Sequence, residues 1–233
     1  MIAIIPARGG SKGLPGKNRR YLQDKHLLAW PIEAAQKSKY VTDVFVSTED
    51  RVLATFAEHY GAKVIVRPYE LATDEATSAS VVLHALEWLQ PKKYFVYLEP
   101  TSPLTEASDI DAAYEMLKKN RKADAIVGVS QLVAHHPYFT VKIENGLVKP
   151  YMAESFNSMR RQDIDELYFL DGSLYISTVK AFKKHESFYH DRTMGYVTPK
   201  WKAIEIDDIV DFTCVEAIMK EISYRRQTGQ PDF

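Results

Sequence analysis

The sequence predicts an α/β fold in which helices flank a mostly parallel sheet. Short apolar runs rich in β-forming residues alternate with longer segments of helical period through the first half of the chain. The chain has 233 residues, of which 45% are hydrophobic, so it can bury one substantial core. No shift in composition divides the sequence, and we expect a single domain over residues 1–233.

Each predicted strand is followed by a segment with helical spacing. The candidate strands are 3–6, 44–47, 63–66, 94–98 and 125–129. Three helices are predicted from apolar residues three or four positions apart, which are Val52, Phe56 and Tyr60, then Val82, Leu86 and Leu89, then Ile110, Tyr114 and Leu117. This order is typical of β-α units around a parallel sheet.

The pattern changes after about residue 130. Glu144-Asn145-Gly146 lies between two apolar runs and predicts a β-hairpin within 139–148. We expect a small excursion from the main sheet over about 130–195. Further strands are predicted near 172–176 and 203–206, and a final amphipathic helix over about 209–224.

Charge and composition argue against several classes of protein. The formal net charge of −1 gives no basic surface for nucleic acid or an anionic membrane. No run approaches the roughly 20 apolar residues of a membrane helix, and Met1–Pro6 is too short for the apolar region of a signal peptide. The single cysteine, Cys214, excludes an intramolecular disulfide. We therefore expect a cytoplasmic protein, with Cys214 as a small buried residue.

The most informative segment, residues 6–18, directly follows the first predicted strand. It combines four glycines, whose backbone can approach an anion closely, with the cations Arg8, Lys12 and Lys17. Ligands collect at the carboxyl ends of parallel strands, so this combination predicts a triphosphate site. The alternative for such a segment is a solvated glycine-rich turn with surface lysines.

Two better-known phosphate motifs do not match this segment. A P-loop requires Ser or Thr after its Gly-Lys pair, but Asn18 follows Lys17. The dinucleotide fingerprint requires Gly-x-Gly-x-x-Gly at a helix start, and Pro15 interrupts any helix there.

Glu205 and Asp207 form a candidate metal pair. One residue separates them, which places both carboxylates on one face of the predicted strand. Mg²⁺ prefers hard oxygen ligands beside phosphate. The alternative is that Asp207 or Asp208 caps the final helix.

The sequence resembles the CMP-sialic acid synthetases, also called acylneuraminate cytidylyltransferases, in blocks that occur in order along the chain. The blocks are residues 4–18, 46–48, 67–74, 100–104 and 204–207. The related KDO cytidylyltransferases share the Pro-Ala-Arg start and the Leu-Pro-Gly-Lys run, but usually lack the longer glycine run ending in Asn18, and rank second.

This resemblance implies a Rossmann-like fold with a small dimerisation subdomain, and a homodimer. The implied activity is Mg²⁺-dependent transfer of CMP from CTP to the anomeric hydroxyl of a nonulosonic acid, with release of pyrophosphate.

The resemblance also implies sets of site residues. The implied catalytic residues are Arg8, Lys17 and Asp207, and Asp207 with Glu205 is expected to hold Mg²⁺. The implied CTP-binding residues are Arg8, Gly9, Ser11, Lys12, Lys17, Asn18, Arg67 and Ser78. The implied sugar-binding residues are Glu99, Thr101, Arg161, Tyr175, Phe188 and Tyr189, the aromatic pair reaching across a dimer interface.

Plainer interpretations of three of these features stay open. Thr77 and Ser78 have the residue types of helix caps, and Arg67 has that of a surface cation. Phe188 and Tyr189 also suit ordinary core or interface packing.

Several positions depart from the family pattern. Glu205 replaces an expected Asp, Glu99 replaces a frequent Gln, and Phe139 and Phe169 fall where two basic residues are usual. These departures favour a related sugar, such as a legionaminate-type or pseudaminate-type acid, as an alternative to N-acetylneuraminate. They also leave open a different class, a nucleotide-binding regulatory protein without turnover.

Overall fold

The computed structural model describes residues 1–91, 93–133, 136–152 and 165–233. The strands are β1 Ile2–Pro6, β2 Tyr21–Leu22, β3 Lys25–His26, β4 Asp43–Thr48, β5 Lys63–Val66, β6 Tyr94–Tyr97, β7 Ala125–Gln131, β8 Val141–Glu144, β9 Leu147–Pro150, β10 Tyr168–Thr178 and β11 Thr193–Val197. The α-helices are α1 Ala29–Lys37, α2 Arg51–His59, α3 Ser78–Leu89, α4 Ala107–Lys119, α5 Val179–His185 and α6 Ile209–Gln227.

The main sheet has the strand order β11-β7-β10-β6-β1-β4-β5. Strand β1 pairs in parallel with β4 and β6, β4 pairs in parallel with β5, and β7 pairs in parallel with β11. Strand β10 runs antiparallel between β6 and β7. The prediction of a mostly parallel sheet with flanking helices is therefore confirmed.

Helices cover both faces of this sheet because successive side chains of a strand point to opposite faces. Ala3 and Ile5 of β1 belong to a buried cluster with apolar residues of α1, α2 and α4. Ile4 belongs to a second cluster with residues of α3 and α5. Strands buried on both faces leave the ends of the sheet as the places where polar side chains can gather.

A third cluster holds the loop after β1 in place. Val215 and Met219 of α6 pack against Leu14, Leu22 and Ile206. Helix α6 thus fixes the glycine-rich segment against residues 204–207. None of the helices in the described parts of the chain combines the length and hydropathy needed to span a bilayer.

Three details differ from the sequence-based expectations. Residues 203–206 are not a strand, although Ile206 N–H donates to the Thr101 carbonyl at 2.8 Å, whereas Thr193–Val197 is a strand. Cys214 is exposed, because a helical step of about 100° per residue turns it away from Val215 and the buried stripe. The excursion is also narrower than 130–195, since β10 and β11 both lie in the main sheet.

The predicted hairpin is confirmed as β8 and β9, which form a separate two-stranded sheet. Its turn is made by Asn145 and Gly146, both with positive φ, as a tight hairpin requires.

Candidate functional site

A polar cavity of about 320 Å³ lies at the carboxyl ends of β1, β5 and β6. The predicted site residues that line this cavity are Arg8, Ser11, Lys17, Asn18, Arg67, Ser78, Glu99, Thr101, Glu205 and Asp207. A larger cavity of about 750 Å³, near α1, α4 and α6, contains none of the predicted site residues. The chemistry of the lining, rather than the size, therefore identifies the 320 Å³ cavity as the candidate site.

Two of the predicted phosphate-binding cations meet Asp74 at the mouth of the cavity. Arg8 Nη1 lies 2.7 Å from Asp74 Oδ1, and Lys12 Nζ lies 2.5 Å from Asp74 Oδ2. The hydrogen bonds from Lys12 and Arg8 hold the pKa of Asp74 below its usual value. Lys12 itself does not line the cavity, so it belongs to the rim.

Lys17 occupies the interior of the site. Its ammonium donates to the carbonyl of Ile206 and lies 3.3 Å from Asp207 Oδ1, and its side chain is only 12% exposed. The loop approaches this partner segment so closely that a β-carbon at Gly13 would lie 2.3 Å from the Asp207 carbonyl oxygen. Glycine at this position lets the glycine-rich loop and the candidate metal pair face each other.

Glu99, Glu205 and Asp207 line the same cavity as Lys17. Burial, Glu99, Asp207 and Asp171 raise the pKa of Glu205 to about 7, and burial also raises the pKa of Glu99. Mutual repulsion of like charges favours either a proton or a bound cation.

The donor set at these carboxylates suits Mg²⁺. The described residues contain no cluster of three His, Cys, Asp or Glu side chains able to hold a metal by themselves. Mg²⁺ commonly takes one or two carboxylates together with substrate phosphates. Glu205 and Asp207, opposite the cationic loop, fit that mode of binding.

The capping alternative applies to Asp208. Asp208 accepts hydrogen bonds from Val210 N–H at 2.7 Å and Asp211 N–H at 3.1 Å, which makes it the N-cap of α6. The backbone N–H of Asp207 donates to Asp211, and its carboxylate lines the cavity. Asp207 is therefore available to a ligand.

Arg67 is a buried cation of the cavity wall. Its side chain is 3% exposed, and its Nε and Nη2 each donate to Glu49 Oε2 at 3.1 Å. Arg67 is therefore not a surface cation, which was the alternative interpretation of this residue. Gly9, in contrast, does not line the cavity, and its N–H donates to Glu49 Oε1 at 2.7 Å.

Two smaller polar residues line the same wall. Asn18 donates from Nδ2 to the Arg8 carbonyl, while its buried Oδ1 has no hydrogen-bond partner among the described residues. An unsatisfied buried acceptor is costly, so it suits a ligand that donates a hydrogen bond. Thr77 caps α3 by accepting from Ser80 N–H, which leaves Ser78 as the cavity residue of this pair.

The predicted sugar-binding residues occupy different environments. Glu99 and Thr101 line the cavity, and Tyr175 and Tyr189 pack beside each other with ring centroids 6.3 Å apart. Phe188 is buried in the core of its own chain, 4.7 Å from Phe182 between ring centroids, as the packing alternative holds. Arg161 lies outside the described residues.

Tyr97, Asp74 and Glu49 are among the residues of this site that were not predicted from the sequence. Tyr97 and Asp74 line the cavity, and Glu49 joins Gly9 to Arg67. Asp74 lies in the 67–74 block, so that block could have pointed to it. Glu49 carried no signal, because its partners are 40 and 18 residues away in sequence.

Comparisons with known proteins show the family to which the chain belongs. Residues 2–224 match the family described as Cytidylyltransferase. The N-acylneuraminate cytidylyltransferase of Escherichia coli is 32% identical over 95% of this chain and 52% of its own length. The CMP-N,N'-diacetyllegionaminic acid synthase of Legionella pneumophila is 33% identical over 94% of this chain and 96% of its own.

The chain spans about half the length of the first of these relatives and nearly all of the second. A solved structure of CMP:2-keto-3-deoxy-manno-octonic acid synthetase complexed with CTP covers 94% of this chain and 98% of its own, with a TM-score of 0.71 and 16% identity. At that identity the likeness supports the fold. From the family match and the relatives, this chain belongs to the cytidylyltransferase family.

Proposed function

We propose that the protein transfers CMP from CTP to the anomeric hydroxyl of a nonulosonic acid and releases pyrophosphate. The observation that carries this proposal is the meeting of Arg8 and Lys17 with Glu205 and Asp207 in one cavity at the carboxyl edge of the sheet. Relatives named for N-acylneuraminate, legionaminic acid and pseudaminic acid support the sugar class.

The cations of the loop bind the triphosphate. Lys17 is held inside the cavity by Ile206 and Asp207, so it is positioned before the nucleotide arrives. When CTP binds, Arg8 and Lys12 leave Asp74 and bind phosphate oxygens instead. Charge neutralisation by fixed groups of this kind is the main catalytic contribution in phosphoryl-type transfer.

Arg67, Asn18 and Ser78 bind the cytidine part. The free acceptor of Asn18 suits the exocyclic amino group of cytosine, which donates hydrogen bonds. Glu99 and Thr101 then border the sugar, together with Tyr175 and Tyr189. Arg161 is retained as the proposed partner of the sugar carboxylate.

Asp207 with Glu205 would hold Mg²⁺, which would neutralise charge on the phosphates. In the reaction the anomeric oxygen forms a bond to the α-phosphorus of CTP. The bond between the α-phosphorus and the oxygen that bridges it to the β-phosphorus breaks. The hydroxyl proton is released, and pyrophosphate leaves. We propose a cytoplasmic location, which fits a chain with the single cysteine Cys214.

A substrate panel tests this function. Pyrophosphate release is measured with N-acetylneuraminate, legionaminic-type, pseudaminic-type and KDO acids, each with CTP, ATP, GTP or UTP. We expect release with CTP and a nonulosonic acid. Turnover with KDO alone would place the protein with the KDO enzymes, comparable rates with GTP would refute the assignment, and CTP binding without turnover would support a regulatory protein.

We also propose that a second copy of the chain covers the β8–β9 hairpin. All eight residues of the two strands are exposed. Ile143 pairs with Val148 and Val141 with Pro150, which makes one face apolar, while Lys149 and Glu144 form a 2.7 Å ion pair. An isolated two-stranded sheet is marginal in water, so a second surface packed on the apolar face would stabilise this hairpin.

A further inference from the structure

Glu49 lies immediately after β4 and contacts two parts of the nucleotide site at once. Its Oε1 accepts from the Gly9 N–H at 2.7 Å, and its Oε2 accepts from Arg67 Nε and Nη2, each at 3.1 Å. The glycine belongs to the phosphate loop, and the arginine follows β5. One carboxylate therefore spans the glycine-rich loop and the proposed cytidine-binding residue.

We infer that Glu49 is a positioning residue for nucleotide recognition, and this inference rests on the proposed function. It fixes the distance between the phosphate loop and Arg67, so that triphosphate and base are engaged in one geometry. It also orients the guanidinium, because Nε and Nη2 face Glu49 while Nη1 makes no hydrogen bond with the part of the chain that the structure describes.

Because the buried Arg67 pairs with Glu49, the positioning role of Glu49 depends on its negative charge. The Arg67 side chain is 3% exposed and the Glu49 side chain 14% exposed, so each charge needs the other. A paired, oriented guanidinium presents its remaining donors to the acceptors of a base in a fixed direction. Without the carboxylate, the Arg67 guanidinium loses the acceptor that holds it in that direction.

The segment around Glu49 is tightly packed against the loop. Asp50 pairs with Arg19 at the far end of the loop and caps α2 by accepting from Val52 and Leu53 N–H groups. A β-carbon at Gly9 would lie 2.3 Å from Asp50 Oδ2. Residues 49 and 50 thus hold the loop at both of its ends, and Glu49 extends this support to Arg67.

The test measures binding of CTP and UTP, each with Mg²⁺, by calorimetry on the full chain. For Glu49→Gln we expect CTP binding to weaken about tenfold and the preference for CTP over UTP to fall by at least about fivefold. The matched control is Asp43→Asn, which removes an exposed ion pair with Lys63 at the other end of β4. This control is expected to retain both values.

A double variant distinguishes the positioning of Arg67 by Glu49 from a general contribution of Glu49 to the fold. Added to Arg67→Met, Glu49→Gln is expected to leave the CTP-to-UTP ratio unchanged, since the residue that it orients is gone. A normal ratio in Glu49→Gln alone, or an equal further fall in the Arg67→Met background, would overturn the inference.

A third variant covers the case in which Glu49→Gln does not fold. Glu49→Asp keeps the charge but shortens the side chain by one methylene, so it cannot reach both partners. We expect it to weaken CTP binding at least about threefold, and unchanged binding would overturn the inference. Because no sugar is added, failure of the proposed transfer reaction is seen separately, in the pyrophosphate assay of the unmodified protein.

Discussion

The nucleotide cavity and the β8–β9 hairpin differ in whether their side chains have partners within the chain. In the cavity, charged side chains already pair within the chain: the buried Arg67 pairs with Glu49, and Lys17 pairs with the exposed Asp207. In the hairpin, apolar side chains such as Ile143 and Val148 are exposed on their own chain. The first region is organised within a single chain, whereas the second leaves an apolar face exposed, which we propose that a second copy covers. Substitutions in the two regions should therefore change different measurements.

The largest expected effect is at the metal pair. Asp207→Ala removes the proposed Mg²⁺ ligand and should lower kcat for CTP by at least about 1,000-fold, since a metal contributes several kcal/mol of charge stabilisation. The control is its neighbour Asp208→Ala, which removes the cap of α6 and should cost about 1 kcal/mol of stability with turnover retained. Pyrophosphate release and thermal melting measure both; an active Asp207→Ala variant contradicts the assignment.

The next effect concerns assembly. Ile143→Asp with Val148→Asp places charges on the apolar face of the hairpin and should weaken a homodimer by at least about 100-fold. Sedimentation over a concentration series measures the equilibrium, with CTP binding expected to persist. Lys149→Gln, on the charged face, is the control and should leave the dimer intact. A protein that is monomeric before any substitution would disprove the role of this face.

A smaller effect should distinguish two adjacent residues at the start of α3. Thr77→Ala removes the helix cap and should lower stability by about 1 kcal/mol without changing the KM for CTP. Ser78→Ala should raise that KM by about threefold to tenfold with little change in melting temperature. The reverse pattern would show that Ser78 has no contact with the nucleotide.

The smallest effect is expected at the rim. Asp74 pairs with Arg8 and Lys12 in the absence of nucleotide, so Asp74→Asn should tighten CTP binding by about twofold to fivefold. Because these groups are well exposed, the gain should shrink as salt is raised. Titrations at low and high ionic strength measure this change, and weaker CTP binding in the variant would instead make Asp74 part of the binding surface.

The sequence predicted those features whose signal is local. The loop with Arg8 and Lys17, the hairpin turn at Asn145-Gly146 and the i, i+2 pair at Glu205 and Asp207 each depend on neighbouring residues. The carboxylate pair lines the cavity even though residues 203–206 are not a strand. The alternation of apolar and acidic residues there does not make a strand, and one backbone hydrogen bond, from Ile206 N–H to the Thr101 carbonyl, holds the segment.

Features that depend on tertiary contacts could not be predicted from the sequence. Glu49 acquires its role only when the chain brings Gly9 and Arg67 to the same carboxylate. Strand β11 contains Gly195, which weakens its β-forming signal, and is defined by pairing with β7. Phe188 resembled a residue of the sugar site, but its contacts with Phe95, Tyr175 and Phe182 place it in the core.

A crystal structure of the protein with CTP and Mg²⁺ would examine the nucleotide assignment most directly. The triphosphate should lie within hydrogen-bond distance of Lys17 and the loop of residues 8–18, with the ion beside Asp207 and the base near Asn18 and Arg67. Nucleotide bound in the larger cavity near α1, α4 and α6, with the loop free of phosphate, would contradict the proposed site.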